Sequence, residues 1–153
     1  MKRLKITLLF LSVFLETQAQ KGFRTELYFD NKFKVIVLNH INTTDSLIEV
    51  PTFLSIMNHL VITYPNKDTF SYEGGTCVPS RMPLKPKQSF SGTIVIEELL
   101  ESIDYWTQFS KKQKHLTPLL GVYMIDWIVE GQPTKTISID YKGALKDKIP
   151  RKK

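Results

Sequence analysis

Four carboxylates fall within eight residues, at Glu97, Glu98, Glu101 and Asp104. On a helix, Glu97 and Glu101 share a face, and so do Glu101 and Asp104. Paired carboxylates held about 5–10 Å apart with divergent pKa values can hydrolyse a bond by acid–base chemistry. A solvated helix surface gives the same pattern, and that is the reading adopted. Directly after them stand Tyr105 and Trp106. These two are the candidate partner-binding residues, since an amphipathic ring pair can offer contact area to a protein, a peptide or a sugar. The competing expectation is that Trp106 closes one end of the core.

The remaining reactive side chains do not form a pattern. His40, His59 and His115 lie in no metal-ligand spacing with one another or with Cys77, the one cysteine. There is no His-Glu-x-x-His and no Gly-x-Ser-x-Gly, and Gly74-Gly75-Thr76 lacks the Gly-Lys-Ser/Thr of a phosphate loop. We therefore assign no catalytic, cofactor-binding or metal residue and expect a non-enzymatic protein. A lone cysteine cannot staple the fold internally, so stability must come from apolar burial; Cys77 is read as a packed thiol. Asn42-Thr43-Thr44 is a formal N-glycosylation sequon.

The element that must hold the aromatics in place is a sheet. Gly121–Glu130 alternates strictly: Tyr123, Ile125, Trp127 and Val129 fall on one face, and Val122, Met124, Asp126, Ile128 and Glu130 on the other. This predicts a central strand with Trp127 in the core. Further strands are expected at Thr25–Phe29, Phe33–Asn39, Leu47–Val50, Asn58–Tyr64, Thr69–Tyr72, Ser89–Glu97 and Thr134–Tyr141. Between them, Asn39–Ser46 reads as a loop and the proline-rich Thr76–Pro86 as a crossing between sheets. Leu99, Leu100, Ile103, Trp106 and Phe109 recur at helical spacing, which predicts a short helix or compact loop near 98–109. The fold class is thus all-β: an immunoglobulin-like antiparallel β-sandwich of seven or eight strands with that one helix.

The two ends read differently from the body. Met1–Gln20 has a basic start at Lys2, Arg3 and Lys5, an apolar run Ile6–Leu15 and small residues Thr17 and Ala19, the form of an export signal cleaved near Ala19 or Gln20. Its apolar run is about half of the ~20 residues that span a bilayer, so no stable membrane insertion is expected. The mature chain is read as secreted or periplasmic. Of the net charge of +6, the first twenty residues carry +2 and Lys142–Lys153 carry +5, leaving −1 for residues 21–141. A near-neutral body has no field to draw nucleic acid. Residues 142–153 read as a basic, disordered tail, and 21–141 as the one domain.

The strand Phe33–Asn39, then Leu84-Lys85-Pro86-Lys87-Gln88-Ser89-Phe90, then Gly121-Val122-Tyr123 and Ile137-Ser138-Ile139, follow an order that resembles small immunoglobulin-like accessory domains of exported bacterial proteins. It is also similar to the proteinase-inhibitor domain class built on such a sandwich. In those families a Leu-x-Pro-Gly-x-Ser segment turns into a strand and a Pro-Gly-x-Tyr segment opens a later one. Here Lys87 stands where that glycine is usual, and Leu120 where the second proline is usual. The resemblance implies a sandwich and carries over no inhibitory loop. The expected function is an exported β-sandwich domain that binds a protein or other macromolecule. The alternatives are a proteinase inhibitor and a small hydrolase using the Glu97–Asp104 carboxylates.

Overall fold

The structure, a computed structural model, describes residues 22–53, 58–73 and 81–143. The expected export signal at 1–20, residues 144–153 of the expected basic tail, and Cys77 lie outside the described residues. The elements run β1 (Phe23–Asp30), β2 (Val35–Asn42), β3 (Ile48–Pro51), β4 (Asn58–Thr63), β5 (Thr69–Glu73), β6 (Arg81–Leu84), β7 (Ser89–Val95), α1 (Ile96–Gln108), β8 (Gly121–Val129) and β9 (Lys135–Tyr141). Three strands in the order β1-β2-β7 form one layer, and four in the order β5-β4-β8-β9 form the other. All their pairings are antiparallel. Among the described residues the protein is an all-β antiparallel sandwich with one helix.

Alternation decides which side chains meet between the layers. On β8 the buried set is Tyr123, Ile125, Trp127 and Val129, and Trp127 is 0% exposed. On β4, Leu60 and Ile62 point inward beside Trp127 and Ile125 in register. Ile36 and Leu38 of β2 face them from the other layer, within the same core cluster. The register differs from expectation at β2: Phe33, expected on this strand, lies in the turn before it and is 65% exposed. Asp30 fixes that turn, its carboxylate accepting the backbone N–H groups of Lys32 and Phe33 at 2.8 and 3.1 Å.

A ninth strand, β6, appears where a crossing was expected. It pairs with β3 in a two-stranded sheet. Pro83 is tolerated there because the strand is short and at an edge. Asn42 secures this corner. Its amide donates to the carbonyls of Ser46, Leu84 and Lys85 at 2.8–3.0 Å, and its side-chain oxygen accepts the Thr44 N–H and hydroxyl, both at 2.8 Å. The sequon asparagine is fully buried, so its nitrogen is a structural clamp in the folded chain.

Beside Trp127 sits a second ring cluster. His40 is 5.0 Å from both Trp127 and Phe53, and stacks on the latter. Phe53 in turn stacks on Phe90 at 4.6 Å. Gly92 makes this stack possible: a Cβ there would lie 2.5 Å from the Phe53 ring. Burial pushes the His40 imidazole down to about 4, against a smaller opposing effect of the Pro51 backbone.

Candidate functional site

Strand β7 runs directly into α1, which begins at Ile96, two residues before the expected start at 98. The helix lays Ile96, Leu99, Leu100 and Ile103 against the core, as the period-3.6 pattern requires. Thr107, not Trp106, completes the buried stripe. Its hydroxyl donates to the Ile103 carbonyl at 2.8 Å and accepts the Leu116 N–H at 2.9 Å. That bond ties the following loop to the helix, and Leu116 buries beside it. His115 Nε2 lies 2.5 Å from Asp104 Oδ1, and Lys114 Nζ lies 2.7 Å from Asp68 Oδ2. The Thr107–Leu116 and His115–Asp104 contacts thus join the last turn of α1 to the loop that follows it.

On the outer side of that turn stand Tyr105, Trp106 and Phe109, which are 61%, 68% and 67% exposed. Trp106 does not close the core, and the stripe containing Trp106 and Phe109 is corrected accordingly. A helix turns 100° per residue, so Leu99, Leu100 and Ile103 facing inward force Trp106 past the edge of the buried arc. The rings touch one another: Tyr105 meets Trp106 edge-on at 6.0 Å and Phe109 at 5.2 Å. Phe109 joins the two candidate residues by its i, i+4 spacing from Tyr105, a relationship visible in the sequence but assigned there to the core. Exposed Lys111 and Lys112 follow, in a turn where the Ser110 hydroxyl accepts the N–H groups of Lys112 and Gln113.

The carboxylates do not share one environment. Glu98 and Glu101 stand in water, Glu97 is half-buried at the start of the helix, and Asp104 is engaged by His115. Among the described residues, no three His, Cys, Asp or Glu side chains are grouped to hold a metal ion. Nor does any described helix have the length and apolarity to cross a membrane.

Among the described residues, concavities open on the sides of the sandwich. One, of 740 Å³, lies between β1 and β9, each hydrogen-bonded on one side only, and is floored by Phe29, Ile96, Ile137 and Ile139. Another, of 200 Å³, lies between β7 and β4–β5.

No known protein family matches the chain, and no curated protein does. Among solved structures it is similar to the β-D-glucoside glucohydrolase of Trichoderma reesei, at 19% identity and a TM-score of 0.40, over 69% of this chain and 14% of that one. It is similar also to the GH3 β-glucosidase of Bifidobacterium adolescentis, at 14% identity and a TM-score of 0.38, over 78% of this chain and 17% of that one. A Northeast Structural Genomics Consortium target aligns at 13% identity and a TM-score of 0.35, over 82% of this chain and 91% of that one. The chain thus spans under a fifth of the length of either glycosidase. At these scores the likenesses decide nothing about this chain's activity.

Proposed function

We propose that this is an exported, non-enzymatic β-sandwich domain that binds a protein partner through Tyr105, Trp106 and Phe109. The observation that carries the reading is the exposure of three contacting aromatic rings at the end of the helix. Soluble surfaces rarely leave such contiguous apolar area in water without a use. Trp and Tyr are also the side chains that most often dominate binding energy when a partner covers them. Glu98 and Glu101, exposed on the same helix, disfavour an anionic lipid surface as the target. Lys111 and Lys112 beside the rings favour a protein whose apolar pocket is bordered by carboxylates. Asp104 held by His115, with Glu98 and Glu101 solvated, supports a surface role for the acidic cluster over a hydrolytic one.

The test compares the wild-type chain with Trp106→Ala as baits in the compartment to which the protein is exported. The reading expects a retained protein whose affinity falls by more than about 2 kcal/mol on Trp106→Ala, the cost of removing a hot-spot ring. Equal retention by both baits would overturn it. So would slowed turnover of a protease by the wild type and by Trp106→Ala alike, which would point to the inhibitor class instead.

A further inference from the structure

The 740 Å³ groove between β1 and β9 has the character required of a partner for the helix rings. Its floor is Phe29, Ile96, Ile137 and Ile139, and the half-exposed ring of Tyr28 also lines it. Glu97 and Asp140 stand among these groups, so the chain itself carries an apolar pocket bordered by carboxylates. Pockets that enclose ring-bearing ligands run to about 300–1,000 Å³, which admits this one. Rings and groove belong to opposite flanks of α1. Each residue advances about 100° around a helix, so Glu97 stands about 100° to one side of Ile96 and Trp106 about 80° to the other. Along the axis Glu97 and Trp106 are about 14 Å apart, at 1.5 Å per residue. The rings of one copy therefore cannot fill their own groove, whereas those of a second copy can. Charge sets the orientation. Glu97 and Lys34, both lining the groove, make no ion pair among the described residues. The ring surface offers each the opposite sign: Lys111 and Lys112 follow the rings, and Glu98 and Glu101 precede them. The groove's other two charges, Asp140 and Lys142, pair with each other at 3.5 Å.

We propose that the partner of the ring surface is a second copy of this chain: Trp106 and Phe109 of one copy seat in the β1–β9 groove of the next, with Lys111 and Lys112 against its Glu97. The inference rests on the binding role proposed for the rings and names what they bind. It also gives a use to the edges of β1 and β9, which are unpaired on the groove side and which a seated neighbour covers. Contact between two unlike surfaces leaves a free groove at one end of the pair and free rings at the other. Copies therefore add head to tail, ending only where the rotation between them closes a ring.

Sedimentation of the purified full chain over rising concentration tests this, with surface variants whose fold is checked by circular dichroism. The wild type should gain mass as concentration rises. Trp106→Ala should weaken association about thirtyfold or more, the equivalent of about 2 kcal/mol. Glu97→Arg alone, and Lys111→Glu with Lys112→Glu, should each weaken it about two- to fivefold, the scale of a surface charge pair. A chain carrying all three charge changes should recover the wild-type association. A wild type that stays monomeric up to about 1 mM would overturn the inference. Association indifferent to Trp106→Ala or to Glu97→Arg would do the same, as would no recovery in the combined variant. A monomeric wild type that still retains a foreign protein through Trp106 would sink the self-pairing and leave the binding role of the rings standing. Failure of both assays would remove the two together.

Discussion

The Tyr123 hydroxyl accepts the backbone N–H of Leu119 at 2.8 Å and donates to the carbonyl of the same residue at 2.9 Å. One side chain thus satisfies both backbone groups of a residue four positions upstream, where the chain leaves its loop and enters β8. Immunoglobulin-like sandwiches use a tyrosine in this way at the corner between their layers. The ring itself is fully buried against Tyr64 at 4.9 Å, and burial pushes both hydroxyls above the usual tyrosine range. Replacing Tyr123 by Phe keeps the ring and strands two backbone groups. It should cost about 1–3 kcal/mol in urea denaturation, with an unchanged slope. A loss below about 0.5 kcal/mol would mean the corner is not bonded this way.

His40 makes stability depend on mildly acidic pH. Its imidazole titrates at about 4 in the fold and at 6.5 when the chain is open. Between these values the unfolded state binds the proton and the folded state does not, so unfolding gains as pH falls. The contribution is fully present above pH 6.5 and is lost as pH drops to about 4, a difference of about 3 kcal/mol. Urea midpoints measured from pH 7.5 to 4 should show this slope, and His40→Leu should flatten it. An equal slope in the variant would assign the loss to other groups.

Lys87 occupies a turn position that suits glycine. It adopts φ +59°, the left-handed region in which glycine is at ease. The lysine keeps the turn at some cost, and its ammonium reaches the Asp45 carboxylate at 3.0 Å and the Thr43 carbonyl at 3.3 Å. The ion pair is well exposed and contributes little. Lys87→Gly should therefore leave stability within about 0.5 kcal/mol of wild type, as relief of strain offsets the freer unfolded chain. Lys87→Val should lose more than about 1 kcal/mol, because a branched Cβ is poorly placed at positive φ. Thermal unfolding of the two variants side by side checks both.

Strand alternation made the sandwich legible. Tyr123, Ile125, Trp127 and Val129 fell on one face because period two is enforced by the pleat itself, and all four are buried. The helix was legible in place but not in facing. Apolar type alone put Trp106 and Phe109 in the buried stripe, whereas the core took Thr107, whose hydroxyl could be satisfied locally. Strand β6 was missed because Pro83 and its neighbours read as a loop; its pairing with β3 is a long-range event that no local pattern announces. Tyr105 and Trp106 were nameable as candidates, but their exposure depends on which arc of α1 the sheets cover. The orphaned Trp127 N–H was invisible to the sequence, since it is a property of neighbours and not of type.

The protein holds one indole in a dry interior and one in water, and the contrast is measurable. In Trp106→Phe the fluorescence comes from Trp127 alone, and in Trp127→Phe from Trp106 alone. Acrylamide quenching of the two variants tests the arrangement most directly. Trp127 should resist the quencher with blue-shifted emission, and Trp106 should be quenched nearly as readily as a free indole. Comparable quenching of both tryptophans in folded variants would contradict the buried core and the exposed aromatic surface together.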